Sequence, residues 1–184
     1  MNREQALAIL HGLTKGESLL RHARAVEVAM RALAAKHGED PEEWGIAGLL
    51  HDADYEAHPD RHPQVIVAQL EELGEARLAH AIRAHYTRWG VPYDTLLSRA
   101  LVATDELTGF VTACCKVRPD GVQGLTAESV LKRFKDRAFA AKVEREEVLR
   151  ACEVYGVDLK DHAAFLIEAL RPFAQELQIA GRGA

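Results

Sequence analysis

The sequence predicts an all-α protein, and three observations support this prediction. Apolar residues recur at the spacing of amphipathic helices along most of the chain. The alternation of apolar and polar residues that is typical of half-buried strands is almost absent. Glycine and proline cluster where helical segments end, as at Gly38 and over residues 119–124. We therefore expect a bundle of helices.

The first part of the chain has the residue types that begin and end helices. Asn2 and Ser18 are predicted to cap the first two helices, and Asp40, followed by proline, is predicted to cap the third. Gly38 is predicted to end the second helix, and Asp94 to cap a long one. The predicted helices of this part run approximately over residues 2–10, 18–36, 40–52, 63–73, 75–86 and 94–117.

The clearest break in the sequence is Pro119, Gly121 and Gly124. Three further helices are predicted beyond it, at about 127–137, 145–155 and 159–177. Because the downstream part is short for an independent domain, we expect one domain over residues 1–184. Its core would cover about 18–117, and a C-terminal helical cap would cover about 125–178.

Composition limits the classes of protein that this chain can belong to. Its 184 residues are 48% hydrophobic and 28% charged, which is typical of a globular domain. A net charge of −5 argues against binding of extended nucleic acid. The three cysteines show neither metal-site nor disulfide spacing. No signal or membrane-spanning segment is recognisable, so we expect a cytoplasmic protein without a membrane partner.

Several polar residues lie on the apolar sides of their predicted helices. His22 is flanked at helical spacing by leucine, alanine and valine, and Asp105 by leucine, valine and threonine. His51 and Asp52 end the third helix beside small residues. Burial without a partner costs even a neutral polar group about 2–7 kcal/mol, so a shared divalent cation is an economical explanation. The alternatives are a hydrogen-bonded core histidine at His22 and a salt bridge at Asp105.

These residues form an ordered set: His22, then His51-Asp52 within AGLLHDADYE, then Asp105 within ATDELTG. The set resembles the signature of the HD-domain superfamily of metal-dependent phosphohydrolases, an all-helical family named after the doublet. The resemblance covers roughly residues 18–117 and implies an HD-domain-like helical bundle with additional C-terminal helices. It further implies that all four residues bind one metal ion and that Asp52 can bridge to a second.

Two more histidines resemble second-metal ligands. In binuclear members of the superfamily, including hydrolases of symmetrical dinucleoside polyphosphates, histidines in contexts similar to those of His62 and His85 bind the second metal. The resemblance thus implies one or two divalent ions, with Mn, Fe, Mg, Co, Ni and Zn all left open. The alternative is that both histidines are solvent-exposed residues at helix ends.

The catalytic and phosphate-binding residues are less sharply defined. Some relatives have a glutamate three residues after the aspartate of the doublet, where this chain has Tyr55. We therefore predict Asp52 and Asp54 as the catalytic residues, with Asp54 as the general acid. The alternatives for the general acid are Glu56, His85 and bulk water. Four cations are predicted to contact the phosphate of the substrate, and the alternative for each is that it is an ordinary solvated surface charge. They are Lys116, Arg118, Arg83 and Arg88.

The sequence thus predicts a phosphohydrolase that uses metal-activated water on a small phosphate ester, with a nucleotide as the favoured substrate class. Whether the ester is a monoester or a diester is left open, as is a homodimer. The segments DELTGF and VRPDG resemble those of small stand-alone HD proteins known as predicted hydrolases. The alternative is a non-catalytic HD module that binds metal or nucleotide in a structural or sensing role.

Overall fold

A computed structural model describes residues 1–181, and over these residues the fold is entirely helical, as predicted. Short 3-10 helices lie at Pro59–Arg61, Thr87–Trp89 and Arg171–Phe173. In the described part, no helix is both long and apolar enough to cross a bilayer. The α-helices are α1 (Arg3–Leu13), α2 (Glu17–His37), α3 (Pro41–Leu50), α4 (Gln64–Glu72), α5 (Ala76–His85), α6 (Leu96–Lys116), α7 (Ala127–Phe134), α8 (Arg145–Tyr155) and α9 (Leu159–Leu170).

Of the four predicted N-caps, two are confirmed and two are wrong. The Asn2 side chain accepts a hydrogen bond from the backbone N–H of Gln5, and the Asp40 side chain accepts one from that of Glu42. Ser18 is not a cap, because α2 already begins at Glu17. The residues just before α2 are held by Glu56, which accepts hydrogen bonds from the backbone N–H groups of Lys15 and Gly16. The sequence pattern of α2 alone does not reveal these contacts.

The beginning of α6 also differs from the prediction. The backbone N–H of Ser98 donates to Oγ1 of Thr95 at 3.0 Å, so Thr95 caps the helix. Asp94 instead lies 2.7 Å from Nε2 of His80. The prediction that the last helix continues to residue 177 is wrong as well, because α9 ends before Pro172, whose ring cannot continue a helix interior.

The chain divides into two compact units, Met1–Val102 and Ala103–Ala184, of which residues 182–184 lie outside the described part. The division falls within α6, not at the predicted break over residues 119–124. A single domain over residues 1–184 stays a prediction.

In the first unit, α2 and α3 pack closely at Gly48. A β-carbon at this position would lie 2.8 Å from the backbone carbonyl oxygen of Val26. Only glycine therefore allows α3 to approach the backbone of α2 at this point. The contact lies three residues before His51 and fixes the position of that end of α3.

A buried carboxylate connects α1 and α2. Glu27 is completely buried, and its oxygens accept hydrogen bonds from Arg3 at 2.6 and 3.0 Å and from Arg31 at 3.0 Å. Arg24 forms a third ion pair with it at 2.9 Å. Burial by itself raises the pKa of Glu27, but these arginines lower it below the ordinary value of 4.5.

In the second unit, Arg145 organises the segment between α7 and α8. Its guanidinium donates to the backbone carbonyls of residues 136, 139, 140 and 143. The same group lies 5.1 Å from the ring centroid of Phe110 and 5.8 Å from that of Phe134. These contacts give an otherwise irregular segment a defined path.

We predict that Glu27→Gln lowers the free energy of unfolding at pH 7 by about 3 kcal/mol. This is the low end of the range for breaking a buried ion pair, because the arginines are partly exposed. Since the folded-state pKa of Glu27 is depressed, its stabilisation is present above pH 4.5 and is lost as the pH falls through the folded-state value. Urea unfolding across this range would measure both effects.

The control is Glu17→Gln on the same helix, where an exposed i,i+4 pair with Arg21 is removed. We expect a change below about 0.5 kcal/mol for this variant. Equal losses for the two variants, or a Glu27→Gln loss that grows with acidification, would contradict the role assigned to the buried carboxylate.

Candidate metal centre

The structure brings together all four predicted ligands of the first metal ion. His22, His51, Asp52 and Asp105 each offer one ligand atom, and these atoms lie within 4.8 Å of one another. We call this set the first metal group. His22 lies on α2, His51 and Asp52 follow α3, and Asp105 lies on α6. Residues remote in sequence therefore meet at the end of α3.

His51 is held in one orientation by the helix that it ends. It is completely buried, and its Nδ1 lies 2.7 Å from the carbonyl oxygen of Gly48. A carbonyl can only accept, so Nδ1 carries the proton and Nε2 has the lone pair in the neutral ring. Nε2 lies 3.4 Å from Oδ2 of Asp52. The ligating nitrogen thus faces the carboxylate.

A second set of ligand atoms shares Asp52. One ligand atom from each of Asp52, His62 and His85 lies within the same 4.8 Å limit, and we call these residues the second metal group. Oδ1 of Asp52 lies 3.3 Å from Nε2 of His62 and 3.5 Å from Nε2 of His85. Both histidines are buried, which excludes the alternative that they are solvent-exposed residues at helix ends.

The two histidines of the second metal group are oriented in the same way as His51. Nδ1 of His85, at the end of α5, hydrogen-bonds to the carbonyl of Ile82. Nδ1 of His62 lies 2.7 Å from Oδ1 of Asp54. In each ring the partner of Nδ1 leaves Nε2 directed toward Asp52. Metal-binding histidines in proteins are commonly oriented by such a bond from the other ring nitrogen.

Asp54 lies behind His62 rather than in front of the ligand atoms. It is completely buried, and its Oδ2 accepts hydrogen bonds from the backbone N–H groups of Val65 and Ile66, each at 3.0 Å. With Oδ1 bonded to His62, both oxygens are engaged by the protein. These two backbone donors lie in the first turn of α4, where a carboxylate is favourable.

Asp52 is the residue common to both groups. Its side chain retains 26% of its exposure, so solvent and small solutes can reach it. Burial acts to raise the pKa of this carboxyl, but the protonated forms of His51 and His85, which place positive charge and an Nε2–H donor beside it, hold it well below the ordinary value of 3.8. Asp52 is therefore ionised at neutral pH, the state in which a carboxylate binds metal.

The donor atoms fit a divalent metal ion. With metal–ligand bonds of about 2.1 Å, two ligands of one ion lie roughly 3.0–3.4 Å apart. The separations around Asp52, from 3.3 to 3.5 Å, are close to this range. Imidazole nitrogens combined with carboxylate oxygens suit Mn, Fe, Co, Ni and Zn ions, and their number leaves room for water or substrate.

The loop after the doublet is anchored to the start of α2 by contacts that the sequence did not indicate. The hydroxyl of Thr14 donates to the carbonyl of Ala53 at 2.8 Å. Glu56 accepts hydrogen bonds from the backbone N–H groups of Lys15 and Gly16. These bonds lower the pKa of Glu56, which favours its ionised form over a proton-donating role.

The four predicted phosphate-binding cations have different surroundings. Arg83 forms an ion pair with Glu71, and Arg118 is bidentate on Asp120 with both distances 2.8 Å. Lys116 and Arg88 are exposed. As phosphate contacts, all four stay predictions.

Comparison with known proteins gives one finding. The HD domain family matches residues 19–109, a stretch that contains every residue of the two metal groups. No curated protein and no solved structure is significantly similar to the chain. HD domains are typically metal-dependent phosphohydrolases, and their namesake residues correspond to the doublet at the centre of this site. Residues 19–109, which are 91 of the 184 residues of the chain, are therefore similar to the HD domain family.

Proposed function

We propose that this protein is a phosphohydrolase that uses two divalent ions to hydrolyse a small phosphate ester, with a nucleotide as the favoured substrate class. The observation that supports this proposal most strongly is the position of Asp52. Its Oδ2 faces His51 of the first metal group, and its Oδ1 faces His62 and His85 of the second. A carboxylate placed in this way suits a bridge between two ions.

The remaining ligands divide naturally between the two ions. His22, His51 and Asp105 would bind the first ion together with Asp52. His62 and His85 would bind the second ion together with the same carboxylate. Ions held by these residues would supply Lewis acidity, which would activate water and offset the charge of a phosphate group. The protein's part is to fix the ligand atoms before substrate arrives, because each observed Nδ1 bond already directs Nε2 of its ring inward.

We assign Asp54 a positioning role in place of the predicted role as general acid. A general acid must reach the leaving group, whereas Asp54 is completely buried and both its oxygens accept hydrogen bonds. Glu56 is bonded to the start of α2, and Nε2 of His85 faces Asp52. We therefore propose that solvent protonates the leaving group, which is one of the alternatives that the sequence leaves open.

The first prediction from the proposed function concerns Asp52. Metal-stripped protein reconstituted separately with Mn²⁺, Fe²⁺, Co²⁺, Ni²⁺, Zn²⁺ and Mg²⁺ is expected to hydrolyse members of a panel of phosphate esters. Asp52→Asn should lower turnover by more than the roughly 100-fold typical of an outer-shell substitution, because the shared ligand is lost. Bound metal, measured by elemental analysis, should fall in parallel.

The matched control is Asp94→Asn. Asp94 also contacts a histidine, with 2.7 Å from its Oδ1 to Nε2 of His80, but it belongs to neither metal group. This variant should keep wild-type metal content and turnover. Metal binding without hydrolysis of any ester would favour the non-catalytic HD module, whereas full activity of Asp52→Asn would refute the assigned site.

The second prediction tests the positioning role of Asp54. Asp54→Ala removes the acceptor that fixes Nδ1 of His62, and the affinity of the second metal group should fall by about 10–100-fold. In the first metal group, His51 is oriented by the carbonyl of Gly48 instead, so this group should retain its ion. Elemental analysis at limiting metal should therefore approach one ion per chain, with a loss of turnover.

Asp60→Asn serves as the control, because Asp60 is exposed and lies in the same loop. A thermal unfolding curve of each metal-free variant separates lost folding from lost metal. If Asp54→Ala binds as many ions as the wild type with equal affinity, then Asp54 does not position His62. If it loses both ions while still folded, its role is not confined to the second metal group.

A further inference from the structure

The second unit contains a cavity that the proposed reaction does not use. Its volume is about 560 Å³, which falls within the range of small-molecule sites. Cys114, near the end of α6, contributes to its wall. Cys114 follows Asp105 by nine residues on the same helix, so the two are about 14 Å apart along the helix axis at ~1.5 Å per residue. Asp105 is not among the residues that line the cavity. The residues that line it are Cys114, Val117, Arg118, Pro119, Leu125, Ser129, Lys132, Arg133 and Asp136.

The region around the cavity is basic in an otherwise acidic chain. Residues 116–137 contain six Lys or Arg and three Asp or Glu residues, a net charge of +3, whereas the rest of the chain has −8. Of the residues that line the cavity, three are cationic and one is anionic. Such a concentration of positive charge in a concave site attracts anions.

The three cations retain donors for a ligand. Lys132 is exposed and forms no ion pair within residues 1–181. The closest approach of Arg133 to Asp136 is 3.8 Å, longer than a hydrogen bond. Arg118 uses Nε and Nη2 for Asp120, which leaves Nη1 of its guanidinium uncommitted to that carboxylate.

The Arg118–Asp120 pair is fixed by the backbone beside it. A β-carbon at Gly124 would lie 1.8 Å from Oδ2 of Asp120 and 3.1 Å from Nη2 of Arg118. The pair therefore packs directly on Gly124, and the guanidinium is already oriented when a ligand arrives. A pre-oriented guanidinium suits the planar, bidentate recognition of phosphate oxygens.

We propose that this cavity binds a small phosphorylated molecule, independently of the metal centre. Arg118, Lys132 and Arg133 would contact the phosphate group. The apolar part of the ligand would lie against the buried Leu125 and the wall formed by Val117. A site of this composition combines charge for a phosphate with apolar surface for the group that carries it.

The test uses the full chain after removal of metal, so that binding at the metal centre does not contribute. Isothermal titration with phenylphosphonate, which combines a phosphonate with an apolar ring, should give saturable binding at one site. Methylphosphonate should bind more weakly, because it lacks the ring. The double variant Lys132→Gln, Arg133→Gln should weaken binding of phenylphosphonate by about tenfold or more.

Two further variants separate the cavity from general surface charge. Lys142→Gln removes one positive charge at an exposed lysine that does not line the cavity, and binding should change by less than about twofold. Ser129→Phe fills part of the cavity without a change of charge and should abolish binding. Circular dichroism verifies that both proteins fold.

Four results would overturn the proposal. They are absence of saturable binding to the wild type, an equal loss for Lys142→Gln, undiminished binding to folded Ser129→Phe, and a raised KM of metal-loaded Lys132→Gln, Arg133→Gln for a hydrolysed ester. The last result would make the cavity part of the substrate site. Failure of the protein to hydrolyse any ester would leave this binding experiment unaffected, so the two proposals fail separately.

Discussion

The carboxylate of Asp52 presents one oxygen to His51 and the other to His62 and His85, and the rest of the site is arranged around this contact. Each of the three imidazoles is bonded through Nδ1 to an acceptor behind it, so each Nε2 faces Asp52. When the three rings are neutral, this arrangement places their Nε2 lone pairs close to the carboxylate oxygens. A divalent cation relieves the resulting repulsion, which is why these contacts favour metal binding.

The fold supplies the acceptors that orient these rings. Two of them are backbone carbonyls one helical turn before the histidine, at the ends of α3 and α5. The third is the buried carboxylate of Asp54, which is itself held by the first turn of α4. Close packing at Gly48 fixes the end of α3 against α2. The orientation of these three rings therefore comes from groups at the ends of α3 and α5 and at the start of α4, and sites built on helices are more precise than sites built on loops.

Much of the fold and of the ligand set could be predicted from the sequence, because the signals are local. Helical periodicity and the caps Asn2 and Asp40 depend on neighbouring residues, and a histidine on an apolar face is visible at helical spacing. The roles of Asp54 and Glu56 depend on where a loop passes other elements, which spacing does not encode. The sequence does not distinguish Asp94 from Thr95 as the cap of α6, because both are capping residue types and the donor, the backbone N–H of Ser98, is present in any sequence.

The basic cavity could not be recognised from the sequence for a similar reason. Arg118 was predicted to contact phosphate from its place near the end of α6, whereas its neighbours Lys132 and Arg133 come from a different helix. Their proximity depends on tertiary structure, and a lone exposed lysine in a sequence carries no such information. Charge counted over residues 116–137 is a sequence signal that could have indicated the region.

Whether Asp52 bridges two ions can be seen in an anomalous difference map from crystals grown with Mn²⁺, with data collected on both sides of the manganese absorption edge. We expect two peaks about 3.5–4 Å apart, each within bonding distance of a different oxygen of Asp52. Absence of any peak at Asp52, or ions bound only by residues outside the two metal groups, would show that the bridge does not exist.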